Sequence, residues 1–191
     1  MNRIMLAALL STAFALSACN NHSADNNMAA GDVNMATADL NGATDMNGAA
    51  TAGNVDSAFL TEAMKGDNSE VALGKIAQTK GASQGVKDLG SMLVTDHGAH
   101  KTEVAALAQQ NGVAVTDDIS DEAKAMETKL NGLSGADFDK AFVAGAIEDH
   151  KKDIAKYEAQ AKSSDAQTAA LANKTLPTLR KHLEAAEKLQ K

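Results

Sequence analysis

Four histidines stand where their spacing could support chemistry: His97, His100, His150 and His182. Read at helical spacing, Val86, Leu89, Leu93, His97, His100, Val104 and Leu107 advance by threes and fours, which sets two imidazoles into one apolar stripe. Val143, Ile147, His150, Ile154 and Tyr157 line up in the same way, and so do Leu171, Leu176, Leu179, His182, Ala186 and Leu189. Carboxylates fall at matching depth. Asp67 lies in the stripe Leu60, Met64, Asp67, Val71, Gly74, with Glu70 beside it. A short internal repeat joins two of these stretches: Leu93-Val-Thr-Asp-His97 returns as Ala146-Ile-Glu-Asp-His150, and Asp153 stands where His100 stood.

Neutral imidazoles from several helices, with carboxylates among them, are suitable ligands for a first-row transition metal ion. On that reading His97, His100, His150, His182 and Glu70 are the candidate ligands, and His97 and His100, at i and i+3, share a face for one ion. Asp67, Asp96, Asp149 and Asp153 would orient the rings. Asp96 points about 100° away from His97 on the same helix, so its partner is expected across the bundle. The plainer reading is a buried hydrogen-bonded network, in which each histidine donates to Asp67, Glu70, Asp149 or Asp153 and fixes the register of the helices. A redox-active dinuclear centre is the third. Its usual Glu-x-x-His pairs are missing, because His97 stands three residues before His100 and Leu179 three before His182. No nucleophile–base–acid set appears, and Gly132 and Gly135 lack the Lys-Ser/Thr of a phosphate loop. The expectation is a non-catalytic binding or structural module. Its alternative is a metal-binding protein or metal-dependent oxidoreductase active in envelope stress or metal handling.

The elements that must position these residues are all helical. Asp56 is placed to cap a helix running to Lys80, and Ser83 one that ends near Asn111-Gly112. A short helix follows from Asp121 to about Leu130, then a long one from Ala136 to about Ala161. Ser163-Ser-Asp165 turns the chain into the last helix, which Pro177 is expected to kink. Two tight connections imply antiparallel hairpins. The long connection between the second and third long helices must cover about 40 Å if the two Asp-His pairs are to meet at one depth. That predicts an all-α, ferritin-like four-helix bundle with one long crossover carrying a short extra helix, over residues 56–191.

The start of the chain reads as an address. Arg3, an apolar run from Ile4 to Leu16 and Leu16-Ser17-Ala18 before Cys19 make a secretory signal over 1–18, too short for a spanning helix. The cysteine after Leu-Ser-Ala resembles a bacterial lipobox, which implies lipid attachment at Cys19, and Asn20 at the next position leans toward the outer membrane. Residues 19–55, rich in Asn, Ala, Gly, Asp and Met, offer too little to bury to offset their ordering entropy and read as a disordered tether. Lys and Arg number 18 against 25 Asp and Glu, for a net charge of −7, with no basic cluster or aromatic platform, so nucleic acid is excluded as a partner.

The stretch from about residue 57 to 190 resembles a ferritin-like family of bacterial outer membrane proteins of unknown function. The resemblance rests on Phe59 and Glu70, on Leu93-Val-Thr-Asp-His97 with His100, on Asp149-His150, and on Leu176-Pro177 with His182-Leu183. It implies the bundle fold and the envelope compartment; with the lipid expected at Cys19, the reading is a membrane-held protein facing the periplasm whose bundle takes a metal ion, an envelope protein or a cell-wall component as partner.

Overall fold

The computed structural model describes residues 55–190; Cys19, the segment 1–18 and the tether up to residue 54 lie outside it. The described residues form five helices and no strands: α1 (Ser57–Lys80), α2 (Gln84–Gln110), α3 (Asp121–Asn131), α4 (Gly135–Gln160) and α5 (Ala166–Leu189). None of them is long and apolar enough to cross a membrane.

Local chemistry sets the ends. The side chains of Asp56, Ser83, Ser120 and Asp165 accept from Phe59, Val86, Ala123 and Gln167 N–H groups, satisfying helix donors that have no partner in the first turn. Gly112, at φ 67°, ends α2: its own N–H reaches Gln109 and that of Val113 reaches Ala108, a left-handed cap that a side chain would strain. α5 remains one helix through Pro177, which forfeits the N–H that would bond the Asn173 carbonyl.

Contacts fix the directions. α1 and α2 run antiparallel, with Asp67 against His97 and Gly74 against Gly90. α4 and α5 run antiparallel, with Gln160 against Thr168 and Lys151 against Glu187. α1 is antiparallel to α4 through Glu62–Lys156, and α2 to α5 through Glu103–Lys174. α2 and α4 therefore point the same way, and the chain between them travels back along the bundle. That crossover is pinned to α1. Asn68 Nδ2 donates to the Thr116 and Asp118 carbonyls at 3.0 and 3.2 Å, Ser69 Oγ accepts from Ser120 N–H at 3.0 Å, and Lys80 Nζ donates to the Leu130 carbonyl at 3.0 Å.

Two apolar clusters fill the interior. One holds Ala77, Leu89, Leu93, Leu130, Phe138, Phe142 and Ile147; the other holds Leu60, Met64, Val104, Tyr157, Leu171 and Leu179. On α1, α2 and α4, residues of one cluster precede the polar positions in sequence and residues of the other follow. The buried polar groups Asp67, Glu70, His97, His100, His150 and His182 thus form a layer between two hydrocarbon ends.

Candidate metal centre

Asp67 organises the α1–α2 side of the layer. One carboxylate oxygen accepts from His97 Nδ1 at 2.9 Å and the other from His100 Nδ1 at 2.8 Å, all three residues being buried. With Nδ1–H given to Asp67, each ring keeps its lone pair on Nε2. Neither Nε2 has a hydrogen-bond partner among the described residues. A carboxylate behind Nδ1 and a free Nε2 in front is how proteins orient a metal-ligating imidazole.

The α4–α5 side is built differently. His150 Nδ1 donates to the carbonyl of Ala146, one turn back on its own helix, at 2.8 Å. Its Nε2 lies 3.2 Å from His182 Nδ1, and His182 Nε2 lies 2.8 Å from the Asp96 carboxylate of α2. Asp96 thus finds its partner across the bundle, as its angle to His97 predicts.

His97, His150 and His182 converge. One ring nitrogen from each lies within 4.8 Å of the others, and the ring centroids stand 5.2 to 5.7 Å apart. Burial, reinforced by the neighbouring His97 and His182, pushes the His150 pKa down to about 3. Burial also lowers that of His182, against the pull of Asp96. The His150 and His182 rings are therefore held neutral, the form that ligates metals.

The remaining candidates sit around this trio. His100 stands outside it, its ring 5.8 Å from that of Tyr157. Glu70 Oε1 lies 3.7 Å from His150 Nδ1, which is already taken by the nearer carbonyl, so Glu70 does not meet the face where the three rings converge. Burial first, then the adjacent Asp149, hold the Glu70 carboxyl well above its ordinary range and favour its protonated form. Burial and Asp149 likewise raise Asp153 to about 6. The Glu70 and Asp149 side chains hydrogen-bond to each other, and Asp149 and Asp153 line a cavity of about 680 Å3 with His97, His100, Tyr157 and the lysines Lys65, Lys152 and Lys156.

The expected network, with every histidine on Asp67, Glu70, Asp149 or Asp153, holds for His97 and His100 alone. His150 turns to a backbone carbonyl because that acceptor is a helical turn away at no cost in ordering, and His182 meets Asp96 because α2 packs beside α5. Sequence reasoning missed Asn68 and Ser69. The signal was the run Asp67-Asn68-Ser69-Glu70, four polar residues in succession that are all buried and that no single amphipathic face accommodates.

No curated protein and no solved structure matches the chain. The model of one family, described as a domain of unknown function, matches residues 41–189, well over half of the sequence. With its five helices and its buried His/Asp layer, this chain belongs to that family, DUF4142.

Proposed function

We propose that the domain is a metal-binding module whose centre is His97, His150 and His182. A count of protons carries the reading. The path Ala146 carbonyl, His150, His182, Asp96 carboxylate begins and ends on acceptors and contains three close polar contacts. Two neutral imidazoles supply two N–H groups, so one contact lacks a proton. When the outer contacts hold them, the inner one sets two lone pairs face to face at 3.2 Å, and the unpartnered His97 Nε2 adds a third. Three lone pairs converging in a buried site call for a cation. A first-row divalent ion is the occupant that three imidazoles favour, with Asp67 and Asp96 behind two of the rings to balance its charge.

A hydrogen-bonded layer alone would leave buried Nε2 atoms unpaired, each at a cost of about 1–3 kcal/mol. The arrangement of the long helices, with α2 and α4 parallel and joined by one crossover, supports a ferritin-like bundle in which the histidine trio replaces the carboxylate-rich dinuclear pattern. The test is elemental analysis of protein purified without chelators. One ion per chain, lost in His182→Ala, supports the module; metal-free protein of undiminished stability overturns it. The setting we propose is the bacterial envelope, with the bundle carried on a lipid at Cys19 and facing the periplasm. Cys19→Ala should then move the protein from the membrane fraction to the soluble one, and equal retention would remove the anchor.

A further inference from the structure

Three protein ligands leave a four-coordinate ion one position short. His97, His150 and His182 come from α2, α4 and α5, and among the described residues no carboxylate and no further imidazole joins the group within 4.8 Å. Three acidic side chains reach these rings, each at a nitrogen other than the convergent one: Asp67 at His97 Nδ1, Asp96 at His182 Nε2, and Glu70 3.7 Å from His150 Nδ1. The remaining long helix, α1, thus stands behind the ligands and supplies none. A cavity of about 680 Å3 lies along that helix, walled by Phe59 and Lys65 of α1, by Asp153 and Lys156 of α4, and by His97 of α2 among others. His97 is the member of the trio in that wall, and its Nε2 has no partner among the described residues.

We infer that the centre is an open one: the fourth position of its ion belongs to an exchangeable small molecule, water at rest and a small anion when one is supplied. The inference rests on the metal reading proposed above and adds what that ion presents to the rest of the solution. Closed sets of four protein ligands hold an ion for structure, whereas three ligands and an open position expose it for chemistry. Three neutral imidazoles give the ion no anionic ligand, which favours hydroxide or a small anion in the vacant place. Burial sets the size limit. His97 is 5% exposed and His150 and His182 1% each, so the donor must be compact. The wall of the cavity carries lysines and carboxylates together, so it passes ions of either sign.

The test loads the full chain with Co2+, counts the metal after desalting, and then adds azide while the visible absorption is followed. The Co2+ bands should shift and saturate at one azide per ion. The same shift should appear in His100→Asn, which offers Asp67 an amide N–H in place of Nδ1–H, and in Asp153→Asn. Bound Co2+ whose bands azide leaves unmoved would overturn the open position and leave the metal reading standing. So would metal-loaded bands that change in either variant before azide is added, because His100 or Asp153 would then be the fourth ligand. The wild-type measurement decides the matter even where a variant fails to fold. Wild type that takes up no Co2+ would sink the metal reading, and this inference with it.

Discussion

The two hairpins carry the same Asp-His sequence pattern and use it differently. On α1–α2, one carboxylate, Asp67, fixes the tautomers of both His97 and His100. On α4–α5, His150 leans on a carbonyl of its own helix and on a second imidazole, and among the described residues the carboxylate that hydrogen-bonds to the pair is Asp96, borrowed from α2, with Glu70 farther off at 3.7 Å. Packing differs in parallel. Gly74 and Gly90 let the backbones of α1 and α2 close in: a Cβ on Gly90 would lie 2.7 Å from the Gly74 carbonyl oxygen and 2.9 Å from the Ala77 Cβ. In α4 and α5 the glycine beyond the first helical turn, Gly145, faces Met126 of α3 instead. The first hairpin is therefore a rigid, fully specified donor platform. The second is one proton short, and on the proposed reading a cation would make up that shortfall.

The sharpest way to exploit that difference is to supply the cation. At a concentration about a thousandfold above its dissociation constant, an ion that binds only the folded state stabilises it by about 4 kcal/mol. Adding Zn2+ or Co2+ to chelator-treated protein should raise its melting temperature accordingly, and His182→Ala should abolish the rise. An unchanged melting curve in wild type would break the comparison at its root. Next in size is Asp67→Ala, which leaves two buried Nδ1–H groups without acceptors, at about 1–3 kcal/mol each. Chemical denaturation should show a smaller loss for Asp67→Asn, whose amide oxygen still accepts one of them.

Gly90→Ala tests the packing side. The new methyl meets backbone and should destabilise the metal-free protein by about 1–3 kcal/mol. Gly98→Ala on the same helix meets no atom within 4 Å and should stabilise it by up to about 1 kcal/mol, in line with the helix propensity of alanine. Similar denaturation midpoints for the two variants would show that the close approach is not structural.

The smallest effect is one of pH on the metal-free protein. His150 has a folded pKa of about 3 against 6.5 unfolded, so between those values the unfolded chain alone binds the proton and stability falls on acidification. Asp153, raised to about 6 from 3.8, binds its proton in the folded state first, so stability rises on acidification across that narrower window. His182 acts in the sense of His150 and Glu70 in the sense of Asp153. The opposed slopes flatten the profile between pH 6 and 4. Asp153→Asn removes one of them and should steepen the acid loss by up to about 1.4 kcal/mol per pH unit, read from denaturation midpoints across that range.

Much of this architecture is written locally in the chain. Helix periods, the caps at Asp56, Ser83 and Asp165 and the stop at Gly112 depend on neighbours a few residues apart, so the sequence determined the helices, their approximate ends and the stripe each buries. It also determined that four histidines and Asp67 would face inward. Partner choice is a different matter. Whether His150 meets Glu70 at 3.7 Å or Ala146 at 2.8 Å, whether Asp96 serves its own neighbour or His182, and whether Nε2 of His100 finds any partner turn on fractions of an ångström in how helices rotate and slide against one another. The burial of Asn68 and Ser69 was likewise decided by the crossover that lies over them. Those separations are set by the summed packing of all the helices, including the close Gly74–Gly90 approach, and no local stretch of sequence encodes them.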